Sequence, residues 1–409
     1  MADCIVLGAG MVGVSTALAL QAKGRSVVLV DRRGAGEETS YGNAGIIQGE
    51  AVEPYAFPRD LGSMVSIALK RGNEVNWNLS ALPKWAEPVL RYFRNSSPAR
   101  YKTISQTYSQ LIHRATADHA PLIKASGSDN LIQRDGFRQV FRSPKRMEEG
   151  ARTAERLNEA YGVGISIETA SELNAAEPNL RRTLQGAIRW TEPWTCSSPG
   201  GLTANYARLF EERGGSFVSG DASTLEQAGA GWRVMTDDGV IEAPDVVVAL
   251  GPWSPEFLKR FGYRIPMLFK RGYHRHFKGG TSPTVPIMDA ENAAIIAPMI
   301  AGSRILTGAE LTHFDAPPAL RQLNRAEQSI RELFELGQPV ESEPWTGNRP
   351  CMPDMLPVVG AAPRHKGLWL NFGHGHQGFT LGPTTAALLA DKMAGEGDDA
   401  LVKSLRLDR

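Results

Sequence analysis

Cysteine is scarce in this chain: 3 residues in 409, at Cys4, Cys196 and Cys351. They are odd in number and too widely spaced for a zinc knuckle, so neither a disulfide framework nor a structural zinc site is expected, and the simple reading is a reducing compartment. Charge excess is missing as well. Lys+Arg is 45 and Asp+Glu is 44, a formal net charge of +1. A near-neutral chain has no electrostatic footprint for nucleic acid. Long hydrophobic runs are absent too. Mean hydropathy is −0.25, and no stretch approaches the roughly 18 apolar residues a spanning helix needs. The first residues carry neither a basic lead nor a small-residue cleavage site, so no signal peptide is expected. No internal repeat or low-complexity tract occurs.

What is abundant is glycine, 42 of 409 residues, against an average near 7%. The first cluster has a readable context. Cys4-Ile5-Val6-Leu7 is a short apolar strand, followed by Gly8-Ala9-Gly10-Met11-Val12-Gly13. Apolar residues at helical spacing run on to a capping Gly24, and Ser26–Val30 is a second apolar strand closed by Asp31. The three glycines differ in what they allow. Gly8 permits the tight turn, Gly10 lets backbone approach a pyrophosphate, and Gly13 lets helix pack on strand. The helix N-terminus presents a positive dipole end to an anion. Asp31 stands 18 residues beyond Gly13, near the spacing of about 20 for a carboxylate that binds a ribose hydroxyl. This predicts dinucleotide binding. Asp31 argues against a 2′-phosphate, although Arg32 and Arg33 follow it. The alternative is a glycine-rich turn between ordinary elements.

Two further glycine clusters fit the same ligand. Gly34–Gly45 is small and polar, with Ser40, Asn43, Ala44 and Gly45 at its end, and reads as a loop that offers backbone. Near the other end of the chain, Leu368–Phe372 reads as a strand entering Gly373-His374-Gly375-His376-Gln377-Gly378, with a small-residue helix from about Thr384 to Ala394. Between these ends, Tyr101–Ala125 reads as one long helix. Arg146–Tyr161 and Leu202–Arg213 also read as helices, and Asp237-Asp238-Gly239 as a hairpin turn. Arg271, Tyr273 and Arg275 alternate along a strand and share one face, with Gly272, His274 and His276 on the other. Tyr273 and His274 are the candidates there for contact with substrate, an ordinary strand role being the alternative. His374 and His376 are candidates to hydrogen-bond a cofactor or substrate. Two histidines without a third ligand at useful spacing do not make a metal site, so none is expected.

The chain resembles the amino-acid dehydrogenase and oxidase group of FAD flavoproteins, which includes D-amino-acid dehydrogenase, glycine oxidase and sarcosine oxidase. The resemblance is carried by GAGMVGVSTA at Gly8–Ala17 with Asp31, SYGNAG at Ser40–Gly45, DVVVALGPWS at Asp245–Ser254 and RGYH at Arg271–His274. It continues in WTGNRPCMPDMLPVVG at Trp345–Gly360 and FGHGHQGFTLGP at Phe372–Pro383. These motifs span nearly the whole chain in order. The branch most resembled is the D-amino-acid dehydrogenase type, which also contains secondary-amine and aminophosphonate oxidases.

The resemblance implies an α/β fold: a Rossmann-like FAD-binding domain with a discontinuous antiparallel-sheet substrate domain of α+β type. The FAD domain is expected in residues 1–50, 198–262 and 346–409, and the substrate domain in 51–197 and 263–345. Cofactor contacts are expected from Gly8, Gly10, Met11, Val12, Gly13, Asp31, Arg32, Ser40, Asn43, Ala44, Gly45, Gly251, Trp253, Gly373, His374, Gly375, Gln377 and Gly378. Arg349 is expected to bind the substrate carboxylate as a guanidinium fork; the alternative is a surface arginine paired with Asp354. Arg349, Tyr273, His274 and His376 are thus the candidate catalytic residues. Sarcosine-oxidase relatives hold flavin through a cysteine placed further before the Pro-Asp pair. In Cys351-Met352-Pro353-Asp354 only one residue intervenes, so non-covalent FAD is expected.

The implied activity is oxidative deamination of a D-amino acid to 2-oxo acid and ammonia. The alternatives are oxidation of glycine, N-substituted glycines or cyclic imino acids, and more remotely a non-catalytic dinucleotide-binding sensor. The electron acceptor would be oxygen, a quinone or a partner subunit. The protein is expected in the cytoplasm with at most peripheral membrane contact. Trp77–Phe93, with Arg91 and Arg94, is the segment that would suit an interface, although helices of the substrate domain are the plainer reading.

Overall fold

The computed structural model describes residues 2–397 and 399–409. Its organising unit is the strand Cys4–Leu7, all four residues of which are buried. Four apolar side chains in succession suit a strand covered on both faces, as in a parallel sheet. Cys4–Leu7 pairs in parallel with Val27–Asp31 on one side and Asp245–Val248 on the other. Ser216–Ser219 and Leu368–Phe372 extend the sheet in parallel, and Val358–Ala361 closes one edge antiparallel. Six strands therefore come together from three separated stretches of chain.

Two helices pack on this sheet and on each other, Met11–Ala22 and Gly378–Met393. Glycine permits their approach: a Cβ on Gly382 would lie 2.8 Å from Met11 Cγ, and one on Gly13 would lie 1.7 Å from the Gly8 carbonyl oxygen. The second helix starts at Gly378, six residues before its expected start, so the glycine turn is shorter than the sequence suggests and delivers Gln377 to the cap position.

A larger sheet of eleven strands stands beside the first. Its spine is the long strand Leu268–Lys278, which pairs antiparallel with Gly302–Leu306 and with Trp345–Cys351. Trp345–Cys351 straddles the expected boundary at residue 346 and belongs to this sheet. A separate core of Val140, Leu173, Ile287, Ile296, Ile305 and Phe334 supports it. The hairpin at Asp237–Gly239 joins Gly231–Thr236 to Gly239–Ala243, and Gly239 takes φ +110°.

The single helix expected over Tyr101–Ala125 is two, Pro98–Ile112 and Ala115–Ala125. The break at His113–Arg114 redirects the chain so that His119 is buried. There its ring nitrogens lie 3.0 Å from the Tyr206 hydroxyl and 3.0 Å from the Phe379 carbonyl. Tertiary packing overrides local periodicity here. Among the described residues no helix is long and apolar enough to cross a membrane.

Candidate active site

A cleft of about 420 Å³ runs from the carboxyl ends of Cys4–Leu7 and Val27–Asp31 to the large sheet. That is where open parallel sheets bind ligands. At its first end lies Asp31, whose carboxylate accepts from the Ala9 amide at 2.6 Å and the Arg33 amide at 3.0 Å. The Arg32 guanidinium sits 5.0 Å from the Trp253 ring centroid and pairs with Glu38 at 3.2 Å. Gly251 lines this end in a left-handed conformation, φ +51°, and a Cβ there would meet nothing within 4 Å.

In the middle, the helix Met11–Ala22 begins without a side-chain cap at Gly10. The Met11 amide donates to Ser40 Oγ at 2.9 Å, which ties the Gly34–Gly45 loop to the helix start. A Cβ on Gly10 would meet only Ser40 Oγ, at 3.4 Å, whereas one on Gly8 would lie 2.6 Å from the Ala249 carbonyl oxygen. Gly8 is therefore needed by the protein itself, and Gly10 leaves room for something else. Val12, Asn43 and Gly378 also line this stretch. Asn43 Oδ1 accepts from the Gly45 amide at 2.8 Å, and Ala44 lies between them. The loop is held from behind by Arg304, which donates to the carbonyls of Tyr41 at 2.7 Å and Asn43 at 2.6 Å. His276 links Arg304, 2.9 Å away, to Glu341.

The far end is built on one face of two paired strands. The register sets Lys270 opposite Arg349, Gly272 opposite Gly347 and His274 opposite Trp345, and opposed residues project to the same face. Gly272 makes the space: a Cβ there would lie 2.5 Å from Arg349 Nη2. Arg349 donates to the carbonyls of Gly308 at 3.0 Å and Thr307 at 3.2 Å. Among the described residues no carboxylate pairs with it. Asp354, the alternative partner, instead receives Arg409 at 2.7 and 2.9 Å. Lys270 lies over the Tyr92 ring at 4.4 Å, with its Nζ 3.3 Å from that hydroxyl.

The histidines here are neutral. Burial, then the charges of Arg349 and Lys270, lowers His376 to about 3. Burial lowers His374 to about 3 as well, with its Nε2 2.9 Å from the Thr385 hydroxyl. His274 is pushed to about 2, by burial first and then by Arg304 and His276. Its ring stacks on Trp345 at 4.9 Å and 13°, and neither nitrogen has a hydrogen-bond partner among the described residues. Tyr273 belongs to the other face: its hydroxyl is engaged by Glu310 and accepts from the Ala319 amide at 3.1 Å.

The glycine turn closes this end. Gly373 and Gly375 have φ of +85° and +62°, and the Gly375 amide donates to the Pro350 carbonyl at 2.8 Å. Gln377 is buried and bonded to Gln48. Lys270, Gln48 and Glu50 are neighbours that no sequence motif singles out.

Fold and cleft together define a dinucleotide-binding α/β protein whose cleft ends in a cationic pocket. The chain belongs to the FAD dependent oxidoreductase family, which matches residues 3–392. It is 34% identical to the D-amino acid dehydrogenase of Cereibacter sphaeroides over 99% of this chain and 94% of that protein. With the D-amino acid dehydrogenase of Chromohalobacter salexigens it shares 32% identity over 96% and 95%. Among solved structures, glycine oxidase from Geobacillus kaustophilus superposes with a TM-score of 0.71 at 19% identity, covering 97% and 96% of the two chains. FAD is the cofactor of this family, and the residues present fit it. Asp31 stands where a ribose hydroxyl would be bound, the open side of Gly10 and the helix start where a pyrophosphate would lie, and Gly375–Gly378 beside the pocket at the sheet.

Proposed function

We propose that the protein oxidatively deaminates a D-amino acid to a 2-oxo acid and ammonia. The observation that carries this reading is Arg349, a guanidinium in the cleft without a protein carboxylate and seconded by Lys270. Such a pair suits an α-carboxylate, and the curated relatives are named for D-amino acids. FAD, when bound, supplies the hydride acceptor. The chain's part is positioning and electrostatics. Arg349 holds the carboxylate so that Cα–H is aimed along the cleft, and the cationic end favours the neutral amine over the ammonium. Loss of hydride from Cα of the neutral amine gives an iminium ion, which water hydrolyses to 2-oxo acid and ammonium, that is, ammonia and a proton.

The test is anaerobic bleaching of the bound flavin by a panel of D-, L- and N-methyl amino acids, glycine and proline. Bleaching by D-amino acids supports the reading. Bleaching by glycine, sarcosine or proline alone overturns it in favour of the glycine or imino-acid alternative. In this reading residues 1–50, 198–262 and 346–409 serve the cofactor, apart from the strand that ends at Cys351, and the rest serve the substrate. The flavin is held without a covalent bond to Cys351.

For the electron acceptor we favour a quinone met at a membrane surface. The helix Leu61–Ala68 buries none of its residues, Leu61 is 80% exposed, and Lys70 and Arg71 follow it. An apolar face edged by cations suits an anionic bilayer. Co-sedimentation with anionic vesicles, lost on Leu61→Asp, is the expected result; no sedimentation would leave oxygen or a partner subunit as the acceptor.

A further inference from the structure

Behind the pocket, four side chains form one continuous chain of hydrogen bonds. Glu50 is 6% exposed, and its Oε1 accepts from Gln48 Nε2 at 2.5 Å. Gln48 Oε1 accepts in turn from Gln377 Nε2. The same nitrogen lies 3.2 Å from His376 Nε2. The second carboxylate oxygen of Glu50 and the carbonyl oxygen of Gln377 are buried without a hydrogen-bond partner among the described residues.

The polarity of such a chain is set at its charged end. An ionised carboxylate only accepts, so Gln48 must turn its NH₂ to Glu50 and its carbonyl to Gln377. Gln377 must then present its NH₂, and its remaining N–H points at His376 Nε2, which has to accept. A neutral imidazole carries one donor and one acceptor. The proton of His376 is therefore on Nδ1, which takes no protein hydrogen bond among the described residues while the ring lines the cleft.

We propose that Glu50 is a positioning residue which, through Gln48 and Gln377, fixes His376 as its Nδ1–H tautomer, so that the ring offers a donor to the anionic group bound at Arg349. The tautomer follows from the chain of bonds with Glu50 ionised; its use by substrate rests on the carboxylate reading of Arg349. Burial pushes Glu50 up to about 7. Among the described residues the titratable groups that face it are Glu192, Tyr55 and Tyr108, none of them a cation, and its hydrogen bonds come from Gln48 and from the backbone at Gly49 and Glu50. Once protonated, Glu50 can donate to the Gln48 carbonyl. Both amides then reverse, and His376 becomes the Nε2–H tautomer.

The experiment is nitrogen NMR of histidine-labelled holoenzyme without substrate, with the His376 signals assigned by their loss in His376→Gln. Well above neutrality the wild type is expected to show a protonated Nδ1 and a bare Nε2, shifting toward Nε2–H as pH falls through about 7. In Glu50→Gln, which keeps the shape and removes the titration, the pH dependence is expected to vanish. Glu50→Leu is expected to give a mixture of tautomers and a several-fold rise in KM with little change in kcat. An Nε2–H ring in the wild type at high pH, or an undiminished pH-dependent exchange in Glu50→Gln, overturns the proposal. The NMR result is independent of the carboxylate reading: should Arg349→Ala leave KM unchanged, that reading falls while the tautomer assignment stands.

Discussion

Arg349 and Lys270 stand directly opposite each other on paired antiparallel strands and project to the same face. Like charges placed so are destabilising, and neither has a salt bridge to a carboxylate among the described residues. The pair is tolerable because Arg349 leans on the Thr307 and Gly308 carbonyls and Lys270 on the Tyr92 ring. A bound carboxylate would relieve the repulsion. Arg349→Ala is therefore expected to raise KM for an amino-acid substrate about 30-fold or more, roughly 2 kcal/mol or more for a desolvated charge pair. The flavin should remain bound, since Arg349 is at the opposite end of the cleft from Asp31. Steady-state kinetics and the flavin absorbance of the purified variant check both halves. An unchanged KM would reject the carboxylate role.

Glycines of the first turn should fail in different ways. Gly13→Ala puts a methyl group 1.7 Å from the Gly8 carbonyl oxygen. The helix must move off the strand, and overpacking of this kind costs about 1–3 kcal/mol. The Cβ of Gly10→Val meets only Ser40 Oγ, at 3.4 Å, and the side chain enters the space a pyrophosphate would take. The expected outcome is a destabilised protein for Gly13→Ala, and for Gly10→Val a folded, colourless one with near-normal thermal unfolding. Circular dichroism melts beside visible spectra separate the two. Yellow Gly10→Val protein would contradict the assignment of the pyrophosphate to this turn.

The first strand–helix–strand unit and the last strand–turn–helix unit are legible in the sequence because their signals are local. Cys4–Leu7 is a run of apolar residues, and the glycines punctuate it where the helix begins. The site at the sheet is less so. Arg349 can be named from its motif, but Lys270 becomes its neighbour only through a strand register that no local pattern encodes. Alternation along Leu268–Lys278 separates two faces. It does not say that Gly272 borders the cleft while the His274 ring is stacked on Trp345, outside the lining, and the Tyr273 hydroxyl is bound to Glu310. Gln48 and Gln377 lie 329 residues apart in sequence, so the chain of bonds to Glu50 has no signature before folding. The break between Ile112 and Ala115 is hidden for a related reason: its cause, the burial of His119, is tertiary.

Cys351 gives a prediction with a simple readout. Burial raises its thiol above the usual range, although Lys270 and Arg349 act to lower it. A protonated thiol is a poor nucleophile. Acid precipitation is therefore expected to release the flavin into the supernatant and leave a white pellet. Cys351→Ser should retain its flavin to the same extent as the wild type. Yellow colour held in the acid pellet, and lost in Cys351→Ser, would establish a covalent link instead.

His119 sets a pH limit on stability. Burial lowers it from 6.5 to about 4, and the ring is fully enclosed beside Tyr206 and Phe379. Between those two values the unfolded chain binds a proton that the folded chain does not, so stability falls as pH drops. The contribution is fully present above about pH 6.5 and is withdrawn on the way down to about 4. For this one residue the loss by pH ~5 is about 2 kcal/mol, at 1.36 kcal/mol per pKa unit. His374 and His376, each lowered to about 3, act in the same direction. Denaturant midpoints should therefore decline steeply from pH ~7 to pH ~5. In His119→Asn, which cannot take up the proton, the curve should start lower, because the bonds to Tyr206 and Phe379 are weakened, and fall less steeply. Parallel curves for wild type and variant would mean that His119 is not among the groups that set the slope.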